Sequence, residues 1–469
     1  MSCQQFTPTW SRRDMLRASA CGFGQLALAG LATQAANGAT RSPLAPRAPH
    51  FAAGAKRVIF LFMWGGPSHV DMFDPKPRLN IDAGKPLPLQ SLGNKRSRSG
   101  NIYGSPFKFA RHGESGVWLS DLLPHMSKHA DNISVIRSVH TEGNAHGEAL
   151  LRLHTGQANL VRPSVGSWVS YGLGCESDNL PGFITISPPR GHGGAQNYGN
   201  AFLPSVHHGT SIGSAEIPIA KAKVSHISNK RWKSPIQRKQ LELIQRLNAE
   251  HLRKAKVDPN IEGLISSYEL AFRMQSDLPK TMNLNEESKE TRRLYGVDGG
   301  ATDNFGRQCL LARRFAEAGV RYIQVSTYYT WDFHQKNNAG HVKECAKVDK
   351  PIAGLLSDLA RRGMLDDTLV VWGGEFGRTP TVENGHGRGH HPSVFSMWFA
   401  GGGIRGGTTY GATDDFGYFP VENPVHMHDV HATVLHTLGL DHKRLVYRYA
   451  GRDFRLTDVY GKVVHDVLA

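Results

Sequence analysis

Residues 370–392 read VVWGGEFGRTPTVENGHGRGHHP. An apolar run leads into a polar stretch holding the carboxylate of Glu375, the guanidinium groups of Arg378 and Arg388, and the imidazoles of His386, His390 and His391. Carboxylate and imidazole together suit a divalent metal ion such as zinc, manganese or iron, and calcium less well. A planar guanidinium grips phosphate or sulfate in a bidentate fork. Similar side chains follow three other apolar runs: His69, Asp71 and Asp74 after residues 56–64, His140, Glu142 and His146 after 132–139, Asp332 and His334 after 320–326. The set points to a metal-assisted site for an anionic ester. Each member also has a plainer reading. With 24 histidines in the chain, His140, His154 or His436 alone is more simply a surface or packed helix residue. Asp74 before Pro75 can begin a turn, and GRGHHP can be an ordinary turn before a strand. Recurrence at four strand ends is what favours a site.

Those strand ends matter because ligands of an open parallel sheet bind beyond the carboxyl ends of its strands. KRVIFLFMW (56–64), NISVIRSV (132–139) and GFITIS (182–187) are short apolar runs with β-branched members, as buried strands are. HGEALLRLHTG (146–156) reads as a helix ended by Gly156. Further on, helix and strand patterns alternate: FGRQCLLARRFAEAG, VRYIQVS, KPIAGLLSDLARRG, TLVVWGG, VFSMWFAGGG and HMHDVHATVLHTLGL. The expected fold is α/β, a mostly parallel sheet with helices on both faces. Residues 234–255 and 261–275 read as two helices within an insertion at about 234–290, with Ser234 as cap and Pro235 in the first turn.

Composition limits the function classes. The chain has 469 residues, 39% hydrophobic, with 51 glycines, enough for a packed core. Its formal net charge is +15; setting aside Arg12, Arg13, Asp14 and Arg17 in the first 40 residues leaves +13. Such a balance favours anionic ligands. No zinc-finger spacing, RNP-like motif or long basic helix marks a nucleic-acid binder, so none is expected as partner. Cys175, Cys309 and Cys345 show no CxxC spacing, which speaks against a disulfide framework or a thiolate zinc site. SRRDMLR (11–17) precedes a weakly apolar, small-residue stretch, the pattern of a twin-arginine export signal. The stretch is too poor in hydrophobicity to span a membrane, so no transmembrane segment is expected in the mature chain. The expected organisation is a signal peptide at 1–36, a linker at 37–55 and one domain at 56–469. The expected location is periplasmic or otherwise extracytoplasmic.

The motifs GGPSHVDMFDPKP, WDFHQKN, VVWGGEFGRTPTVENGHGRGHHP, AGGGIRGGTTYGATDD and VHMHDVHATVLHTLGLDHKRLVYRYAGRDFRLTDV resemble a large bacterial family of unknown function. Its members carry twin-arginine signals and are placed with the sulfatases in the alkaline phosphatase-like superfamily. The resemblance covers roughly residues 56–469 and implies a sulfatase-like fold. It also implies site residues. The first metal aspartate of the superfamily leaves strand one directly; here that place reads Trp64-Gly65-Gly66, so Asp71 or His69 must serve or the ligand is absent. Counting back nine residues from Thr155, where a sulfatase nucleophile would stand, reaches His146, with no Cys, Ser or Thr. The Asp-His pair corresponds to Asp332 and His334. The Ser-Asp-His-Gly motif corresponds to Gly374-Glu375-Phe376-Gly377, where Glu375 can replace the aspartate but Phe376 cannot replace the histidine. A later single histidine matches His390. The family often has Asp before that histidine, whereas this chain has Gly389.

These departures have chemical consequences. Without a histidine at 376, one metal is easier to support than two. The expected ligands are His69, Asp71, Asp332, His334, Glu375 and His390, with Arg378 and Arg388 holding an oxyanion. Direct attack by a metal-activated water is favoured. Attack by His146 is the second route, and His146 can equally be a ligand or a general acid. The expectation is an exported hydrolase of phosphate or sulfate esters, acting on an anionic ester or a sulfated or phosphorylated glycan. The alternative is a non-catalytic relative that binds anionic glycans.

Overall fold

The run RVIFLF (Arg57–Phe62, β1) is apolar without alternation because the strand is covered on both faces. The computed structural model describes residues 43–88, 100–222, 224, 227, 231, 234–254 and 259–469. In it, Ile59 and Leu61 enter one core, while Val58, Phe60 and Phe62 enter another. The expected signal peptide at 1–36 and the start of the 37–55 linker lie outside the described residues. Residues 44–469 form one compact unit.

The other strands that concern the site are β2 (Ile133–His140), β3 (Phe183–Ile186), β4 (Thr210–Ile212), β5 (Tyr322–Ser326), β6 (Thr368–Gly373), β7 (Gly377–Glu383), β8 (Gly387–His391), β9 (Phe395–Gly401) and β10 (Thr408–Tyr410). The main sheet runs β10-β2-β9-β6-β1-β5-β3-β4. β1 lies parallel between β5 and β6. β9 is antiparallel to both β6 and β2, so β2 and β6 point the same way. The sheet is mostly parallel, and the carboxyl ends of β2, β6, β1 and β5 share one edge.

The helices are α1 (His146–Thr155), α2 (Val165–Leu173), α3 (Ser234–Lys254), α4 (Pro259–Met282), α5 (Asp303–Glu317), α6 (Asn337–Arg361) and α7 (Met427–Thr437). Leu310 and Phe315 of α5 and Leu355 and Leu359 of α6 fill the core on the Ile59 side. Leu150 of α1, Trp168 of α2 and Val434 of α7 fill the other. Each such side chain contributes roughly 1.5–3 kcal/mol by leaving water.

One expectation changes here. Residues 377–391 are not a loop but an antiparallel hairpin, β7 with β8. Asn384 and Gly385 in its turn take φ of 48° and 85°, the left-handed geometry that an Asn-Gly pair supplies at low cost. The hairpin also explains why β9 reverses: the chain returns to the sheet without a helical crossover.

Candidate metal centre

Three imidazoles, and the guanidinium of Arg378, converge on one oxygen of Asp332. His146 is the first residue of α1, whose far end is closed by Gly156 at φ 72°. Asp332 and His334 lie between β5 and the start of α6, and His390 is on β8. The Oδ1 of Asp332 is 3.4 Å from Nε2 of His146, 3.0 Å from Nε2 of His334 and 3.2 Å from Nε2 of His390. The Nε2 atoms of His334 and His390 are 2.9 Å apart.

The other nitrogen of each ring is already committed. His146 Nδ1 is 2.6 Å from Oε1 of Glu375, His334 Nδ1 is 3.0 Å from Oε2 of Glu383, and His390 Nδ1 is 2.5 Å from the carbonyl of Asn144. All three partners are acceptors, so each Nδ1 carries the proton and donates it. In the neutral rings, three Nε2 lone pairs then face one carboxylate oxygen. His146 Nε2 is buried and has no hydrogen-bond partner. Lone pairs do not gather this way unless protons or a cation lie between them. Histidines whose second nitrogen donates to a carboxylate or carbonyl are the usual form of metal-bound histidine. His146, Asp332 and His390 offer ligand atoms all within 4.8 Å of one another, and His334 extends the set. Three imidazoles and one carboxylate suit zinc, manganese or iron better than calcium.

The electrostatics agree with the geometry. Burial opposes ionisation of Asp332, but His146, His334, His390 and Arg378 outweigh it and hold the carboxyl far below the usual range. Burial opposes charge on His146, and Asp332 and Glu375 overcome it, raising the ring's pKa. The hydrogen bond to Asp332 raises that of His334. Burial lowers that of His390. Tyr329 donates its phenol to Oδ2 of Asp332 at 2.5 Å. Burial and Asp332 together push that phenol's pKa up.

Other expected site residues lie elsewhere. Glu375 is fully buried and accepts the backbone N–H of Gly65 on Oε1 at 3.0 Å and on Oε2 at 3.2 Å, as well as the His146 proton on Oε1. Both oxygens are thereby engaged behind His146, so Glu375 orients that ring rather than facing Asp332. Asp71 is not at the centre: Arg388 grips it at 2.9 and 3.2 Å, and Asn337 donates to it at 3.0 Å. Arg388 also donates to the Thr379 carbonyl at 3.1 Å and stacks over Tyr103. Arg378 donates to the carbonyls of Gly65, Gly66 and Arg388 and, at 2.5 Å, to Asp332. Both arginines are 0% exposed, so neither reaches an incoming oxyanion. His69 donates from Nε2 to the Gly417 carbonyl at 2.9 Å and stacks with His391 rather than meeting Asp332.

The Trp64-Gly65-Gly66 turn ties these parts together. Gly65 and Gly66 have φ of 121° and 82°, and an added Cβ would lie 2.7 Å from the backbone of Asp332 or the ring of Phe376, respectively. Phe376 is fully buried, its ring centroid 4.7 Å from that of His146 and 4.5 Å from that of His390. It fills the space beside both imidazoles with an apolar ring.

The cluster opens into a cleft of about 580 Å³ lined by His334 and His390 with Asn144, Thr379, Glu383 and Asn384. Sequence reasoning missed several contributors. Tyr329 stands three residues before Asp332, a spacing that gave the only clue. Glu383 depends on a hairpin that was not expected, and the Asn144 contact is made by backbone. His192 lies in a Gly-rich stretch, with its ring 5.3 Å from that of His146.

No curated protein matches the chain. Among solved structures it is similar to Ps i-CgsB in complex with k-i-k-neocarrahexaose, at 10% identity over 82% of this chain and 72% of that one, with TM-score 0.37. It is similar to the alkaline phosphatase of the Antarctic bacterium TAB5, at 10% identity over 83% and 99%, TM-score 0.36. It is also similar to a phosphonate monoester hydrolase from Silicibacter pomeroyi, at 11% identity over 82% and 73%, TM-score 0.35. The family described as "Protein of unknown function (DUF1501)" matches residues 55–468, and the chain belongs to that family.

Proposed function

We propose that this protein is a metal-dependent hydrolase of phosphate or sulfate esters with a single ion held by His146, Asp332, His334 and His390. The observation that carries this reading is the convergence of three imidazole Nε2 atoms on Asp332 Oδ1, each with its Nδ1 proton anchored. A divalent ion there would polarise the ester and lower the pKa of a bound water. Glu375 and Glu383 fix the tautomers of His146 and His334 and make them better donors to the ion. Tyr329 holds Asp332 through Oδ2, and Arg378 donates to the Oδ1 that the imidazoles approach. His146 serves better as ligand than as nucleophile, because its free nitrogen points at Asp332. With both arginines spent, the ion itself is the electrophile for the anionic group. The cleft offers amide, hydroxyl and carboxylate groups to the rest of a substrate, which suits a hydroxyl-rich carrier such as a glycan.

We also place the protein outside the cytoplasm, on the strength of SRRDMLR and the small-residue stretch behind it. Replacing Arg12 and Arg13 with lysine should leave the chain in the cytoplasm; unaltered export would end that part of the reading.

The test of function is metal content by mass spectrometry, with turnover of phosphomonoesters, phosphodiesters and sulfate esters. Roughly one ion per chain is expected, with activity lost on chelation and regained on adding zinc or manganese. A metal-free protein unable to take up either ion would sink the proposal. A protein that binds the ion and a sulfated glycan but turns over no ester would instead support a binding role.

A further inference from the structure

A wall of aromatic rings borders His146, and its exposed members have no part in the metal centre. Trp64, 4% exposed, lies at the back of this wall. Its ring centroid is 4.9 Å from that of Tyr329, 5.6 Å from that of His192 and 6.5 Å from that of Tyr328. Tyr329 and His192 reach the His146 ring at 5.0 and 5.3 Å. Tyr328 stands four residues before Asp332 and is 53% exposed. None of these rings lines the cleft beside His334 and His390.

The two exposed rings, Tyr328 and His192, are held in place. Both meet the indole nearly at right angles, at 81° and 84°. The Thr330 hydroxyl is 3.1 Å from the Tyr328 carbonyl. His192 takes φ 49° between Gly191 and Gly193, and Asn197 donates to its carbonyl at 3.1 Å. A residue with a side chain adopts that left-handed backbone at a cost, and such strain persists where a site needs it. The fold does not itself use what is presented there. Among the described residues no hydrogen bond engages the exposed imidazole of His192, and the buried indole N–H of Trp64 has no partner.

An open aromatic face beside unspent polar groups says what the wall binds. The face suits C–H groups, and the free nitrogens suit hydroxyls. A sugar ring offers both at once, with C–H groups on its face and hydroxyls at its edge. An alkyl chain would cover the tyrosine and leave the imidazole unused.

We propose that Tyr328 and His192 form a sugar subsite beside the metal centre. Tyr328 stacks on the face of the pyranose that carries the ester, and His192 hydrogen-bonds one of its hydroxyls. The proposal rests on the hydrolase reading and adds the residues that select the carrier.

Calorimetry on the zinc-loaded full chain tests it, with methylphosphonate, butylphosphonate and a glucosylmethylphosphonate, and with the matching sulfonates. None of these compounds carries an ester bond to cleave. The sugar compound should bind at least about tenfold tighter than the methyl compound, from one ring contact and one hydrogen bond. Tyr328→Ala should remove most of that gain, while affinities for zinc and for the methyl compound stay within about twofold. Tyr328→Phe should keep the gain. His192→Gly should weaken the sugar compound about fivefold. It should also keep the parent's thermal midpoint, because glycine accepts φ 49° freely; a merely structural histidine would lower that midpoint on removal. If the methyl compound binds but the sugar compound gains nothing over it, or the butyl compound gains as much, the subsite is refuted and the metal centre stands. A Tyr328→Ala variant that keeps the gain refutes it too, as does a loaded chain that binds none of the compounds. A His192→Gly variant that loses zinc would make His192 a ligand and refute its hydroxyl contact. A chain that takes up neither zinc nor manganese overturns the metal centre, and this subsite with it.

Discussion

Two neighbouring clusters in this protein are built from the same kinds of side chain. At one, Asp71 lies between the Arg388 fork and the Asn337 amide, and every charge meets its opposite. At the other, Asp332 receives a phenol on Oδ2 and a guanidinium on Oδ1, and three imidazole Nε2 atoms crowd that same Oδ1. The first is electrically complete and sealed from water. The second is short of positive charge and opens on a cleft. The difference teaches that a carboxylate saturated by fixed donors is a structural clamp, whereas one also crowded by imidazole Nε2 atoms is a candidate place for an ion. Residue type does not separate the two; the direction of the lone pairs does.

The comparison breaks most visibly at Asp332. Asp332→Ala should abolish turnover and lower metal affinity by at least about a thousandfold, since it removes the one charged ligand; titration calorimetry with zinc would measure it. Next comes Arg388→Met, which leaves Asp71 buried and unpaired. It should cost about 3–5 kcal/mol of stability, read as a lower urea midpoint, while the folded fraction still binds the ion. Adding Asp71→Leu should restore much of that loss, which no change at Asp332 can imitate. Smaller again is Glu375→Gln, expected to weaken metal binding by about 10–100-fold through His146, with the fold intact by circular dichroism.

The smallest effect is on pH, and its sign differs between the two states. Without metal, His146 and His334 have raised pKa values, so they contribute stability below the unfolded value of about 6.5 that is lost as pH rises through the folded values. The thermal midpoint of the metal-free protein should therefore fall as pH rises above about 6.5. Metal affinity should rise over the same range, because the ligands must lose their protons. A metal-free midpoint that rises with pH would contradict the raised pKa values of these two rings.

Much of the fold was legible in the sequence. The runs at 56–64, 132–139, 320–326 and 368–373 declared themselves by continuous burial, and their shared edge followed from parallel pairing. That Asp332, His334 and His390 lie together was legible for the same reason, each standing within a few residues of a strand end or on the hairpin beyond one. His69 and Asp71 were misread because nearness to a strand end does not fix which way a side chain turns. Asp71 looks toward Arg388, a partner 317 residues away. The hairpin at 377–391 was missed although Asn384-Gly385 marks its turn. The two arginines were misread because their partners are mostly carbonyls, which a sequence cannot display.

The Gly65-Gly66 turn also bears on what this protein can become. Its backbone closes one side of the cluster: its N–H engages Glu375, its carbonyls engage Arg378, and a Cβ at either glycine would clash. Gly66→Asp alone would drive a Cβ to 2.7 Å from the Phe376 ring in a left-handed conformation, and Phe376→His alone would bury an imidazole with no ion to bind. Neither substitution alone therefore adds a ligand beside the cluster without straining the packing around it. An engineer seeking such a ligand would have to rebuild the turn, the ring and their arginine support in one step.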